Sequence, residues 1–481
     1  MKFFSTRDRN IVRTPSQAIV EGIAPDGGLY LPTEFPSFPM ESLMTMTGTE
    51  ISVAVLSSLL SDFTEEELTQ YVNKAYSAFD DKTIAPLAKV GDDHIMELWH
   101  GPTCAFKDVA LSLLPYLLTA SAQKCGIKDD IVILTATSGD TGSAALSGFS
   151  GVPGTAITVF YPDGGVSPMQ KRQMVTNPGK NTAVCAIRGN FDDAQSAVKR
   201  IFTEVTLPKG KRFSSANSIN IGRLAPQIAY YFTAYRDLLL SGEIVYGDRV
   251  NFIVPTGNFG DILAGYFAKK MGLFVGKLVS ASNENRVLAD FFESGVYDKR
   301  REFRLTSSPS MDILISSNLE RLLSLTVGCE KTKAYMDDLK EKGVYTLTAD
   351  EIASIRCDFD GAWVSEAECA ETIKRVFDTY GYLIDPHTAV AYAAKDKVAL
   401  EGKTVVLSTA SAYKFTNQVL KALGEVPLDD EFSSLSLLHN MTKAPIPTPL
   451  AALKTATVYH KDVVNISDMP DYVLTKLLEV L

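Results

Sequence analysis

One lysine and a few loops rich in glycine and hydroxyl groups hold the residues of this chain that could do covalent chemistry. Lys107 lies in His100-Gly101-Pro102-Thr103-Cys104-Ala105-Phe106-Lys107-Asp108, between a strand-like run (Ile95 to Trp99) and a long helical pattern. A lysine in the first turn of a helix sits near its positive end, which disfavours the ammonium form. Apolar neighbours that desolvate it push the same way, and the neutral amine is the form that makes a Schiff base. The alternative is a solvated lysine on a helix start, so the other loops decide.

Gly257-Asn258-Phe259-Gly260-Asp261 joins an apolar run to a helical pattern. Its glycines let the backbone approach a ligand, and the N–H groups of the following turn make an anion cradle. The lysine of a P-loop and the third glycine of G-x-G-x-x-G are absent, so a single phosphate is expected rather than a nucleotide. Ser138-Gly139-Asp140-Thr141-Gly142 occupies the same kind of position and adds two hydroxyls able to grip a carboxylate or phosphate. Asp140 suits such a site only if it caps the helix and does not face the ligand. A third polar cluster contains Asn217, Ser218 and Asn220, with Arg223 beyond it. Lys171 follows the Ser167-Pro168 helix start, and Thr409 follows Val405-Val406-Leu407. His387, in Asp385-Pro386-His387, reads as part of a structural turn. G-x-S-x-G and H-E-x-x-H are both absent. A reactive lysine, a one-phosphate cradle and two further anion-friendly loops fit a phosphate-bearing aldehyde cofactor, pyridoxal 5′-phosphate.

Strands alternating with helices from residue 94 onward must position these loops. Apolar runs such as Ile131–Leu134, Ala156–Tyr161 and Val250–Val254 read as buried parallel strands. Helices follow them, including Ala105–Lys124, which Pro115 should kink. Such alternation gives an α/β fold of open, mostly parallel twisted sheets flanked by helices, with ligands beyond the carboxyl ends of the strands. The expected units are an N-terminal domain (1–93), a first α/β domain with Lys107 and the 138–142 loop (94–235), a second with the 257–261 loop (236–430), and a tail (431–481). In the first unit, Gly22 and Pro25-Asp26-Gly27-Gly28 stop a short helix, and Thr64 with Glu67 makes a capped helix start.

Composition narrows the function further. A 481-residue chain with 46% hydrophobic and 22% charged residues is an ordinary globular protein of more than one domain. A net charge of −10 without a basic block argues against a nucleic-acid partner. No apolar run approaches the ~18 residues of a membrane span, so no membrane partner is expected. The six cysteines form no C-x-x-C pair and the five histidines are dispersed, which argues against a metal centre or a disulfide framework. A cytoplasmic enzyme, monomeric or homodimeric, is the expectation.

The chain resembles the threonine synthases, pyridoxal-phosphate enzymes of the tryptophan-synthase-β-like fold. The resemblance rests on Ser5-Thr6-Arg7, Ala24-Pro25-Asp26-Gly27-Gly28-Leu29-Tyr30, the His100–Asp108 segment, Ser138–Gly142 and Gly257–Asp261. The N-terminal and lysine motifs together point to the longer-chain branch, which has a mainly helical N-terminal extension before two sheets of the fold-type II kind. The resemblance implies that Lys107 is the lysine bonded to the cofactor. Gly257, Asn258, Phe259, Gly260 and Asp261 would cradle the cofactor's phosphate, and the Thr409 hydroxyl would meet the pyridine nitrogen. Ser138, Gly139, Asp140, Thr141 and Gly142 would take the substrate carboxylate. Asn217, Ser218 and Asn220 would lie near the substrate phosphate, with Arg223 and Lys171 as helpers. Cys104 stands where an aliphatic residue is usual, and Ser411-Ala412-Tyr413-Lys414-Phe415 where His-Pro-Ala-Lys-Phe is common. The implied reaction is that of a carbon–oxygen lyase acting on O-phospho-L-homoserine, giving L-threonine. Two alternatives stay open: a phospholyase that stops at 2-oxobutyrate, phosphate and ammonia, and a non-catalytic protein binding a phosphorylated ligand.

Overall fold

The computed structural model describes residues 1–480 apart from Ser138, and for Leu478 and Val480 the backbone alone. Two parallel-rich sheets form its centre. The larger has the strand order Phe359–Trp363, Val275–Ser282, Val250–Pro255, Lys403–Ser408, Asp93–Glu97, Leu87–Val90. Every neighbouring pair is parallel except the last, a hairpin. The smaller has the order Asp462–Asn465, Thr182–Arg188, Thr155–Pro162, Asp130–Ala136, Lys211–Ser214 and is parallel throughout. Ile131, Val132, Ile133 and Leu134 are all buried, as are Val405, Val406 and Leu407. Both faces of these strands lie under helices, which is why the sequence there is apolar without alternation.

Three expectations change. The strand expected to open the first α/β unit is Asp93–Glu97, and it pairs with Lys403–Ser408 in the larger sheet. Alternation along the chain records local order only, while the partner is chosen across some three hundred residues. The helix expected over Ala105–Lys124 is two helices, Lys107–Leu111 and Leu114–Lys124. Pro115 lies in the first turn of the second, where its missing N–H costs nothing; one turn deeper it would clash with the preceding carbonyls. Gly148 packs into this break so closely that a Cβ there would lie 2.0 Å from the Leu111 carbonyl oxygen. The last fifty residues are not a loose tail. Leu435, Leu438 and Leu450 join the core beside the larger sheet, whereas Met469, Val473 and Leu477 pack under the smaller one. Among the described residues no helix is long and apolar enough to cross a membrane.

The N-terminal segment pairs a small antiparallel sheet with capped helices. Thr64 and Glu67 form the expected capping box of Glu65–Tyr76, and Gly22 ends Pro15–Glu21 with φ of 70°. Ser5-Thr6-Arg7 earns its place by reaching the helix Leu319–Val327. Thr6 donates to Glu320 at 2.6 Å, and Arg7 makes a bidentate pair with the same carboxylate at 2.8 and 2.9 Å. Ser5 meanwhile donates to Asp26 at 2.8 Å. Glu320 is buried, so its removal strands a guanidinium and a hydroxyl. Glu320→Ala should lower unfolding free energy by about 2–4 kcal/mol in urea titrations. Arg7→Ala, at a half-buried surface position, should cost less; equal or smaller loss in the Glu320 variant would contradict this anchor.

Candidate active site

The loop before Lys107 is closed by its own residues. Asp108 is fully buried and accepts from the Thr103 N–H at 2.8 Å and the Thr103 hydroxyl at 2.5 Å. Gly101 is required because a Cβ there would lie 2.4 Å from the Asp108 Cβ. His100 is held between Asp80 (2.6 Å) and Glu97 (2.8 Å); burial works against its charged form, but these two hydrogen bonds raise it overall. Cys104 adopts φ of 56°, a left-handed conformation that costs about 1–2 kcal/mol for a residue with a side chain. The turn is held by Ser411 N–H donating to the Cys104 carbonyl and Phe106 N–H donating to that of Thr409, at 3.1 and 2.8 Å. Thr409 is thereby fixed next to the residue preceding Lys107.

Lys107 is the first residue of its helix, and its side chain is only 12% exposed. Nζ lies 3.1 Å from Ser310 Oγ and 3.7 Å from Asp140 Oδ2. Burial lowers its pKa; Asp140 opposes this, while the positive charges of Lys414 and Arg223 add to it. The helix is five residues long, so its dipole is a small contributor. The expected neutral amine is thus favoured chiefly by burial.

Asp140 is where the site is knitted together. It is the first residue of Asp140–Phe149 and is buried. Its Oδ1 accepts from Lys414 at 2.8 Å and Gln170 at 3.0 Å, and its Oδ2 accepts from Ser310 at 3.1 Å. Burial alone would raise this carboxyl, but Lys414 and Lys107 hold it well below the ordinary carboxylate range. It therefore neither caps the helix nor offers an unbalanced negative charge to a ligand. Gly139 makes room for Gln170, since a Cβ there would lie 2.2 Å from the Gln170 amide carbon. Thr137 Oγ1 accepts from the N–H groups of Gly139 and Gly142, both at 2.9 Å, while those of Asp140 and Thr141 donate to no protein acceptor among the described residues. Ser138 lies outside the described residues.

The loop after Val250–Pro255 has the shape of an anion cradle. Phe259 takes φ of 62° and precedes the helix Gly260–Lys270. The N–H groups of residues 257–262 donate to no protein acceptor among the described residues. Gly257 abuts the Ser310 segment so tightly that a Cβ would lie 2.5 Å from the Ser310 carbonyl oxygen. That contact brings the cradle to Lys107, because Ser310 touches both. A buried amine and an open backbone cradle joined through one serine fit pyridoxal phosphate, which needs a carbonyl-reactive lysine and a phosphate anchor.

Arg223 is only 4% exposed, with Nη1 donating to the Ala216 carbonyl at 2.9 Å and Nε without a partner. Burial lowers its pKa to about 10, and no carboxylate pairs with it among the described residues. Asn217 is exposed, and the Ser218 carbonyl accepts from Asn318 Nδ2 at 3.3 Å. Asn220 is used by the fold: its side chain caps Ile221–Leu224 by accepting from Gly222 N–H and donates to the Ile19 carbonyl at 2.8 Å. Lys171 is not drawn in; its side chain is 48% exposed and lies 3.6 Å from Asp163. Sequence reading missed Ser310, Lys414, Gln170 and Thr137. His387, read as structural, supports Ser310: Nε2 accepts from the Ser310 N–H at 3.1 Å, and Nδ1 lies 2.6 Å from Asp385. Replacing Asp140 by asparagine leaves the buried Lys414 ammonium without its counter-charge. Asp140→Asn should cost about 3–5 kcal/mol in chemical denaturation, and Asp140→Asn with Lys414→Met should recover much of that.

Comparison with known proteins now identifies the family. The family described as "Pyridoxal-phosphate dependent enzyme" matches residues 94–411, "Threonine synthase N terminus" matches residues 2–76, and "Threonine synthase, C-terminal" matches residues 388–457. Threonine synthase of Saccharomyces cerevisiae is 36% identical over 473 residues, which is 89% of this chain and 91% of that protein. "Threonine synthase-like 1" of Macaca fascicularis is 39% identical over 89% of this chain, and the match spans 61% of that longer protein. The crystal structure of PLP-bound threonine synthase from Brucella melitensis superimposes with a TM-score of 0.90, at 36% identity and with 99% of each chain covered. The chain belongs to the threonine synthase family of fold-type II enzymes, and pyridoxal phosphate is its cofactor.

Proposed function

We propose that this protein converts O-phospho-L-homoserine and water into L-threonine and phosphate, a carbon–oxygen lyase reaction. The observation that carries the reading is a buried lysine amine sharing its surroundings with a buried guanidinium that has no carboxylate partner among the described residues. Such a guanidinium calls for an anionic ligand, and a substrate phosphate is one. Its positive charge also disfavours the Lys107 ammonium, which keeps the amine neutral and able to take a proton.

In this proposal Lys107 holds the cofactor, the N–H groups around Gly257 to Asp261 hold its phosphate, and Thr409 meets the ring nitrogen. When bound, the cofactor supplies an electron-withdrawing ring that acidifies the carbons next to the substrate amino group. A hydroxyl partner at that nitrogen, unlike a carboxylate, does not hold it protonated, which suits elimination and replacement. Lys107 Nζ takes the α-proton, gives it up, and only then takes a β-proton. Cγ gains one proton as phosphate leaves, Cα gains the other once the water oxygen has bonded to Cβ, and the water's remaining proton leaves with phosphate. Ser310 Oγ and Asp140 Oδ2, both beside Nζ, steady the amine when it is charged. The N–H groups of Asp140 and Thr141, at the amino end of Asp140–Phe149 and without an acceptor among the described residues, take the substrate carboxylate, while Gly139 and Gly142 shape the loop through their N–H bonds to Thr137 Oγ1. Lys414 makes this possible by neutralising the Asp140 charge. Arg223, Asn217 and Ser218 take the substrate phosphate. Asn220 acts by fixing that segment to Ile19, and Lys171 is left out. The functional division near residues 93, 235 and 430 belongs to the same proposal, with the hairpin 87–97 assigned to the second unit and the tail shared between both.

Quantifying phosphate, threonine and 2-oxobutyrate together after incubation with O-phosphohomoserine tests this reading. Threonine should match phosphate one to one. Phosphate matched by 2-oxobutyrate would assign elimination alone, and no turnover by cofactor-loaded protein would overturn both.

A further inference from the structure

Asp261 has a proton-counting problem. It is the second residue of Gly260–Lys270, its side chain is buried, and it packs on the helix Ile228–Leu240. Tyr230 hydrogen-bonds to Oδ1, and the Tyr231 hydroxyl lies 3.0 Å from Oδ1 and 2.9 Å from the Asp261 carbonyl oxygen. Oδ2 is buried and has no partner among the described residues. The Tyr230 hydroxyl also lies 3.3 Å from Gln227 Oε1, and Gln227 Nε2 donates to the Arg223 carbonyl at 2.7 Å. That last bond fixes which end of the Gln227 amide faces Tyr230: the oxygen.

Tyr230 therefore has one hydrogen and two acceptors. If Asp261 is ionised, Tyr230 must donate to it, and Gln227 Oε1 faces an oxygen that has no hydrogen to give. Oδ2 is then also a buried anionic oxygen without a partner. If Asp261 has a proton on Oδ1, it donates to Tyr230, Tyr230 donates to Gln227, and Tyr231 donates to the Asp261 carbonyl. Every hydrogen then finds an acceptor. The ionisable groups around it are Tyr230 and Tyr231, with Tyr76 beyond Tyr230 and Lys107 acting at a distance. Burial raises this carboxyl to about 6; the two tyrosines and Lys107 oppose that rise. A phosphate dianion at the amino end of the same helix raises it further by like-charge repulsion.

We propose that Asp261 is a positioning residue that stays protonated in the cofactor-loaded enzyme at neutral pH, donating to Tyr230 and so tying the cofactor-phosphate loop to the Arg223 segment through Gln227. This rests on the assignment of residues 257–261 to the cofactor phosphate. The test combines infrared and phosphorus NMR spectra of cofactor-loaded protein at about pH 7. The wild type should show the carbonyl stretch of a protonated, hydrogen-bonded carboxylic acid. Asp261→Asn should lose it, and Tyr230→Phe should shift it to higher frequency because the proton loses its acceptor. The phosphorus resonance of bound cofactor should stay near its wild-type position in Asp261→Asn, which keeps a neutral donor to Tyr230, and move in Asp261→Ala, which keeps none. Absence of the band, or its survival in Asp261→Asn, would overturn the proposal while a resonance that moves in Asp261→Ala left the loop assignment intact. A phosphorus resonance indifferent to Asp261→Ala would sink the loop assignment and the proposal with it.

Discussion

The site depends on one buried carboxylate, Asp140, which four separately delivered cations and donors share. Lys414 comes from the end of the larger sheet, Lys107 from the loop after Asp93–Glu97, Ser310 from the short helical turn Pro309–Met311 and Gln170 from the helix Pro168–Val175. A carboxylate in such a place is unfavourable by burial alone, and two lysines are what hold it charged. The arrangement fixes Lys107 at the meeting point of the two sheets. It also balances the charge at the amino end of Asp140–Phe149, so that the helix end stays fit to receive an anion.

Backbone strain is spent where the site needs unusual directions. Cys104 and Phe259, two of four non-glycine residues with positive φ among the described residues, sit in the Lys107 loop and the Gly257–Asp261 loop. Each is over-determined by neighbours: Cys104 by the Gly101 and Ser411 backbones, and Phe259 by its burial against Phe292 and Phe359. Ser310 sits in a single helical turn, Pro309–Met311, too short to hold itself. A polar network does so instead, in which Asn283 and Asn285 donate to Asp312 at 2.8 and 2.9 Å and Ser308 is fully buried.

Much of this was legible in the sequence because the loops carry dense local signals. Gly257–Asp261 and the lysine motif sit at strand ends that apolar runs announce, and the helix Glu366–Tyr380 has the boundaries its cap and Gly381 set. Ser310 was not legible, because its helical turn Pro309–Met311 is too short to show a periodicity and its partners are 170 and 203 residues away. Lys414 had a readable signal: the lysine persists where the neighbouring residues depart from the family's common pattern. Lys171 and Asn220 misled because residue type does not say which way a side chain turns. The membership of Asp93–Glu97 in the larger sheet was beyond local reading for the same reason of distance.

The central claim is that the buried amine of Lys107, and not that of its buried neighbour Lys414, bonds the cofactor. Borohydride reduction of the cofactor-loaded protein followed by peptide mass spectrometry tests it most directly. The account predicts a phosphopyridoxyl label on Lys107. A label on Lys414 or on any other lysine would contradict it.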